Sequence, residues 1–366
     1  MAQIGSDIRR LLRRDAGRLV AYPAPQPLED FARAVGVDPR DVLKLDQNEN
    51  PYGCSPGVIE ALRTYNWYHV YPDPLHRVLR ERLSLYAGAP AEQIVVGNGS
   101  DELIELILHL FVEPGDRVIS AGPTFGYYAT AALAVGADYH VVERGPRFEI
   151  EPERIVAAVN DRTKVCFVAS PNNPTGNATP VEVIRRLLAL DIVVVVDEAY
   201  FEFCGRTALD LLEAGPENLI VLRTFSKWAG LAGLRLGYGV FPASLVPVAL
   251  SLKPPYSVSQ AAEVAGLASL NDLVYLQSNL ERILTERRRL QDGLAATGYL
   301  KPYPSDANFL LCDLVGKAAA QVQTALAARA ILVRRYNSPR LENSLRISVG
   351  RPEQTDRLLT ALQEIF

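Results

Sequence analysis

The chain is poor in the groups that metal and redox chemistry need. Its four cysteines, Cys54, Cys166, Cys204 and Cys312, are far apart, form no C-x-x-C pair and have no histidine at zinc-ligand spacing. That pattern excludes a metal knuckle and a disulfide framework and leaves reduced, partly buried thiols as the expectation. An excess of either charge is also missing, with 38 Lys and Arg against 42 Asp and Glu and a formal net charge of -4. Arg9, Arg10, Arg13, Arg14 and Arg18 crowd the first residues, but the chain as a whole has no basic footprint for nucleic acid. No apolar run approaches a membrane span or the core of a signal peptide, so a cytoplasmic protein without a membrane partner is expected. Repeats and low-complexity tracts are missing too. What is present is 366 residues, 48% hydrophobic and 22% charged, enough for two or three structural units around a large core.

Short β-branched runs alternate with longer segments of helical period. The candidate strands are 94–96, 117–120, 139–142, 165–168, 192–196, 219–222 and 237–240. This alternation predicts an α/β fold, a mostly parallel seven-stranded sheet with helices on both faces. From Ser257 onward the pattern changes to long helices such as Leu273 to Leu294, then the apolar runs 309–312 and 345–349 and a terminal helix. A smaller C-terminal α/β domain is therefore expected over 257–366, beside a large domain over 46–256. Residues 1–45 form an arm and part of the small domain, with the proline-rich stretch from Tyr22 to Pro27 extended.

In open parallel sheets, ligands collect beyond the carboxyl ends of the strands. Several unusual residues fall there. After the 94–96 run come Gly97, Asn98, Gly99, Ser100, Asp101 and Glu102, opening an apolar helix. Glycine turn and helix start together make an anion cradle from backbone N–H groups. A dinucleotide fingerprint would need glycine at Glu102, and phosphate held by Gly99, Ser100 and Asp101 through their backbone would leave both carboxylates pointing away. Asp197 leaves a strand of four valines in a partly dry setting, where an ionised carboxylate requires a cation. Asn173 stands in an Asn-Pro-Thr-Gly turn, Tyr200 follows Asp197 by three residues, and Lys227 comes just after the 219–222 strand with Ser226 before it and Arg235 beyond. Taken singly, these read as turn residues, a cap and a surface lysine. Their joint order points to one site.

Asn48-Glu49-Asn50-Pro51-Tyr52-Gly53, Tyr71-Pro72-Asp73-Pro74, the glycine turn, Asn172-Asn173-Pro174-Thr175-Gly176, Asp197-Glu198-Ala199-Tyr200 and Ser226-Lys227 resemble the histidinol-phosphate aminotransferase family. That resemblance implies fold type I and pyridoxal 5'-phosphate as cofactor. It implies Lys227 as the Schiff-base lysine, Asp197 as partner of the pyridine nitrogen, and Tyr200 and Asn173 on the phenolic oxygen. Arg235 and Ser226 would clamp the phosphate, arginine being suited to bidentate contact. Phe125 takes the ring-stacking position, where the family usually has tyrosine, so stacking is kept and a hydroxyl is lost. Tyr71 would reach the phosphate of a neighbouring subunit, which implies a homodimer. Tyr22, Asn50, Arg334 and Arg346 would contact substrate, with Arg335 the rival of Arg334.

The expected activity is transfer of an amino group between L-histidinol phosphate and 2-oxoglutarate, an amino donor and a 2-oxo acid taken in turn. An aromatic amino-acid aminotransferase on the same scaffold is the nearest alternative, followed by a decarboxylase or lyase using the same cofactor. A cofactor-sensing regulator would need a DNA-binding domain, for which the segment before Asn48 leaves no room.

Overall fold

The computed structural model describes residues 8–13, 16–19 and 26–365. Its strands are β1 (Leu43–Leu45), β2 (Ile94–Asn98), β3 (Arg117–Gly122), β4 (Asp138–Glu143), β5 (Thr163–Ala169), β6 (Val193–Asp197), β7 (Leu219–Thr224), β8 (Leu236–Val240), β9 (Leu300–Pro302), β10 (Phe309–Leu314), β11 (Ile331–Arg335) and β12 (Ser344–Ser348).

Seven strands form one sheet in the order β2-β8-β7-β6-β5-β3-β4. The ladders of β3 with β4, β3 with β5, β5 with β6 and β6 with β7 are parallel, while β8 runs antiparallel to both β7 and β2. All seven expected strands are present. The valines of β6 show why the sheet is covered on both sides. Val194 and Val196 pack into one apolar cluster with Leu79, Ile155 and Ile184, while Val195 joins a second with Leu103, Ile107 and Tyr128. Alternate residues of a strand face opposite ways, so two helix layers are needed to bury both sets.

The second sheet has the order β1-β11-β12-β10-β9. Its central strands β10 and β12 are the two apolar runs expected near the C-terminus; β1, β9 and β11 were not anticipated. The parallel pairing of β1 with β11 ties residues 43–45 to the C-terminal part of the chain. The helix Leu273–Ala296 covers the expected long periodic segment and presents Leu276, Ile283, Leu290 and Leu294 to the core at helical spacing.

The parallel direction of β2, β3, β5, β6 and β7 puts their carboxyl ends along one edge of the large sheet. Because β8 runs the other way, its entry at Arg235 lies on that same edge. The fold thus gathers Gly99, Phe125, Asn173, Asp197, Lys227 and Arg235 from five loops.

Candidate functional site

Asp197 ends β6 and is 5% exposed. It shares the sheet face of Val195, where Tyr128 sits, and the Tyr128 hydroxyl donates to its Oδ2 at 2.6 Å. The Ala199 amide donates to Oδ1 at 3.1 Å. Burial pushes the carboxyl up to about 6, against the downward pull of those two hydrogen bonds. The neighbouring Glu198 faces the other way, where it takes Arg223 at 2.9 Å, Thr207 at 2.9 Å and the Ala208 amide at 2.6 Å. Of these two adjacent acids, one therefore has its cation within the chain. Among the described residues no ion pair reaches Asp197.

Lys227 stands three residues past β7 and is half-buried. Its Nζ donates to the Gln47 carbonyl at 3.0 Å. Desolvation first, then the positive charges of Arg346 and Arg235, bring its pKa down to about 8, against the opposing carboxylates of Glu49 and Asp101. An amine so placed is available as a neutral nucleophile and proton carrier near neutral pH.

At the start of β8, Arg235 takes a left-handed backbone conformation, φ 57, and its carbonyl accepts from the Gly99 amide at 2.9 Å. Its guanidinium donates to Ser226 Oγ at 3.3 Å and to Asp101 Oδ2 at 2.8 Å. A Cβ on Gly99 would lie 2.3 Å from the Arg235 guanidinium, so only glycine leaves room for this approach. The helix Gly99–Phe111 starts here without a side-chain cap, and with the Gly99 amide taken by Arg235 it leaves the N–H groups of Ser100 and Asp101 and its positive end for an anion. The expectation that both carboxylates turn away is corrected. Glu102 folds back to accept from the Asn98 amide at 2.6 Å, but Asp101 turns toward Arg235, because an arginine in this cradle needs a counter-ion.

Arg346 lies in β12, 6% exposed. It donates to Asn173 Oδ1 at 2.6 Å and to the Asp46 carbonyl. In the antiparallel ladder of β11 and β12, Arg334 is directly opposite Arg346 and Arg335 opposite Leu345. Opposed residues share a face, so Arg334 stands beside Arg346 while Arg335 faces the other side and donates to Gln323 at 3.2 Å.

Tyr200 is buried, and its hydroxyl accepts from Asn48 Nδ2 at 2.9 Å. Phe125 packs its ring edge-on to Tyr128, centroids 5.5 Å apart. Asn50 has both ends of its amide on backbone, donating to the Trp228 carbonyl at 2.7 Å and accepting from the Tyr52 amide at 2.9 Å; it braces the loop that carries Lys227. Tyr71 lies outside the group, 77% exposed and stacked on Tyr256 at 4.5 Å. Tyr22 falls outside the described residues.

Sequence reasoning missed Tyr128, which sits early in the alanine-rich helix Tyr127–Ala134 and carries no signal of its own. It also missed a strap at residues 46–48. Successive carbonyls there accept from Arg346, Lys227 and, at 2.9 Å, Asn308. Backbone acceptors leave no residue signature.

A pyridoxal phosphate fits this chemistry on three observations: a buried carboxylate without a cation, an amine of lowered pKa, and an uncapped helix start beside an arginine. Among the described residues no cluster of potential metal ligands occurs, and no helix is long and apolar enough to cross a membrane.

The family described as "Aminotransferase class I and II" matches residues 40–362. A histidinol-phosphate aminotransferase of Roseiflexus castenholzii is 45% identical over 98% of this chain and 99% of its own length. A chloroplastic histidinol-phosphate aminotransferase of Arabidopsis thaliana is 43% identical over 95% of this chain and 84% of its own. Among solved structures, histidinol-phosphate aminotransferase from Sinorhizobium meliloti in complex with pyridoxal-5'-phosphate superposes with a TM-score of 0.85, at 28% identity, covering 94% of this chain and 98% of that one. A covering match of this kind, on a fold that assembles these residues at one sheet edge, identifies the chain as a member of the class I and II aminotransferase family.

Proposed function

We propose that the protein is a pyridoxal-phosphate-dependent aminotransferase that moves the amino group between L-histidinol phosphate and 2-oxoglutarate, working as a homodimer. The observation that carries the reading is Asp197, a buried carboxylate at a strand end whose sibling Glu198 has an arginine and which has no cation among the described residues. Bound pyridoxal phosphate supplies an aldehyde carbon that exchanges oxygen for an amino group and a ring that takes up the electron pair released at the substrate Cα.

The residues of the chain do the rest. Asp197 holds negative charge against the ring nitrogen and keeps a proton there, with Tyr128 fixing the carboxylate. Lys227 would hold the aldehyde carbon between turnovers and would carry the proton between the substrate Cα and that carbon. Arg235, Ser226 and the N–H groups of Ser100 and Asp101 hold the cofactor phosphate, while Phe125 covers the ring. Tyr200 and Asn173 serve its phenolic oxygen. Arg346 takes the carboxylate of one substrate and the phosphate of the other, with Arg334 beside it on the same sheet face supporting a phosphate-bearing substrate. A division at residues 46–256 and 257–366, with 1–45 contributing to the latter, belongs to the same reading.

A donor screen tests it. With 2-oxoglutarate as acceptor, histidinol phosphate should be converted at least tenfold more efficiently than phenylalanine or tyrosine. Negligible turnover of histidinol phosphate overturns the substrate, and carbon dioxide release without an oxo acid overturns the reaction class. Borohydride reduction and peptide mapping of the loaded protein should mark Lys227, and the Lys227→Ala variant should show no mark and no transamination.

A further inference from the structure

Tyr200 sits in a short chain of hydrogen bonds whose direction can be worked out from donors and acceptors alone. The backbone N–H of Asn48 can only donate, so Ser348 Oγ accepts it, at 2.9 Å. The one hydroxyl hydrogen of Ser348 then goes to Asn48 Oδ1, at 3.0 Å. That bond pins the oxygen end of the amide on Ser348 and turns the nitrogen end to Tyr200. Nδ2 carries only hydrogens, so the Tyr200 oxygen accepts there, at 2.9 Å. Its own proton must lie on another side of the oxygen. The three residues are 1%, 3% and 6% exposed, so water does not scramble the order. Asn48 holds a left-handed φ of 56, which asparagine tolerates better than other side chains of its size.

We propose that Asn48, oriented by Ser348, is a positioning residue that keeps the Tyr200 hydroxyl proton free for an acceptor oxygen in the site. The proposal rests on the reading of Tyr200 as a ligand of the cofactor's phenolic oxygen. Turning the amide over would present Oδ1 to Tyr200, and the proton would be spent on Asn48. Ser348 prevents this. Because Ser348 is two residues from Arg346 on β12, the same strand that binds the substrate's anionic group also sets the direction of the Tyr200 proton.

A donor to an ionised phenolic oxygen favours that form and lowers the pH at which it titrates. The test loads the protein with pyridoxal phosphate and follows its visible absorbance against pH. Tyr200→Phe should raise the midpoint by about one pH unit or more. Asn48→Gly, which keeps the positive φ, and Ser348→Ala should each raise it by a substantial part of that shift. Neither should add a shift in the Tyr200→Phe background, and Ser348→Thr should restore the wild-type midpoint. A residue that only supports the fold would change the melting temperature and leave the midpoint in place. Unchanged midpoints in Asn48→Gly and Ser348→Ala overturn the proposal, as does a shift that persists in the Tyr200→Phe background. In both cases the cofactor reading stands. A wild-type protein with no pH-sensitive visible band overturns that reading and this proposal together.

Discussion

Asp197 has to be uncomfortable without a cation to be useful with one. Burial raises its pKa to about 6 from the 3.8 of a free side chain. Between those two values the unfolded chain has already released the proton while the folded chain still holds it, so raising the pH favours unfolding. This contribution to stability is complete below about pH 4 and is lost as pH rises through 6, a change of roughly 2 to 3 kcal/mol. Cofactor-free protein should therefore lose stability over that window, and Asp197→Asn should flatten this part of the curve in denaturant titrations at pH 4 to 7. Pyridoxal phosphate, by supplying a cation, should flatten it as well. An identical slope in wild type and variant would mean that Asp197 is not the group responsible. Asp197 and Lys227 could be picked out in the sequence because each follows an apolar run that must be buried and because they stand in order with Asn173 and Tyr200. Tyr128 could not, since a tyrosine early in an alanine-rich helix looks like ordinary packing until its hydroxyl is seen 2.6 Å from the carboxylate.

Strand register decides matters that composition leaves open. Arg334 and Arg335 are chemically equivalent in the sequence, and only the pairing of Arg334 with Arg346 across β11 and β12 separates them. Arg334→Ala should raise KM for histidinol phosphate roughly ten- to a hundredfold, the worth of a lost charge-assisted hydrogen bond. Arg335→Ala should stay within about threefold by the same scale, since its guanidinium serves Gln323 on the other face. Steady-state kinetics with both variants settles the choice, and the reverse ranking would refute the register argument. The strands of the large sheet were legible because β5, β6 and β7 are nearly continuous apolar runs, as burial on both faces demands. β1 and β9 span three residues each, too few for any periodicity to emerge. β11 follows the helix Ala319–Ala327 after three residues, so its Ile331 and Val333 read as more of the same helical stripe.

At the scale of the whole molecule, the strap at 46–48 joins the two sheets at the site, holding Arg346 from β12 and Lys227 from beyond β7 on adjacent carbonyls. The loops that follow the helices Pro56–Thr64 and Val246–Leu252 leave aromatic side chains exposed. Trp67 is 62% exposed, Tyr71 77% and Tyr256 46%, with Tyr71 and Tyr256 stacked on one another. In the proposed homodimer the exposed, stacked pair Tyr71 and Tyr256 would be covered by the second subunit. With a twofold axis the same patch serves both subunits, and Tyr71 can then complete its neighbour's site rather than its own. Sedimentation should accordingly give twice the chain mass of 40.2 kDa. Tyr71→Ala should weaken cofactor binding while Lys227→Ala abolishes turnover, so each variant alone is impaired. When the two are mixed and allowed to exchange subunits, a heterodimer has one site with both Lys227 and a neighbour's Tyr71, and activity should rise above the sum of the separate variants. Equal activity before and after exchange would place Tyr71 in its own subunit's site or in none.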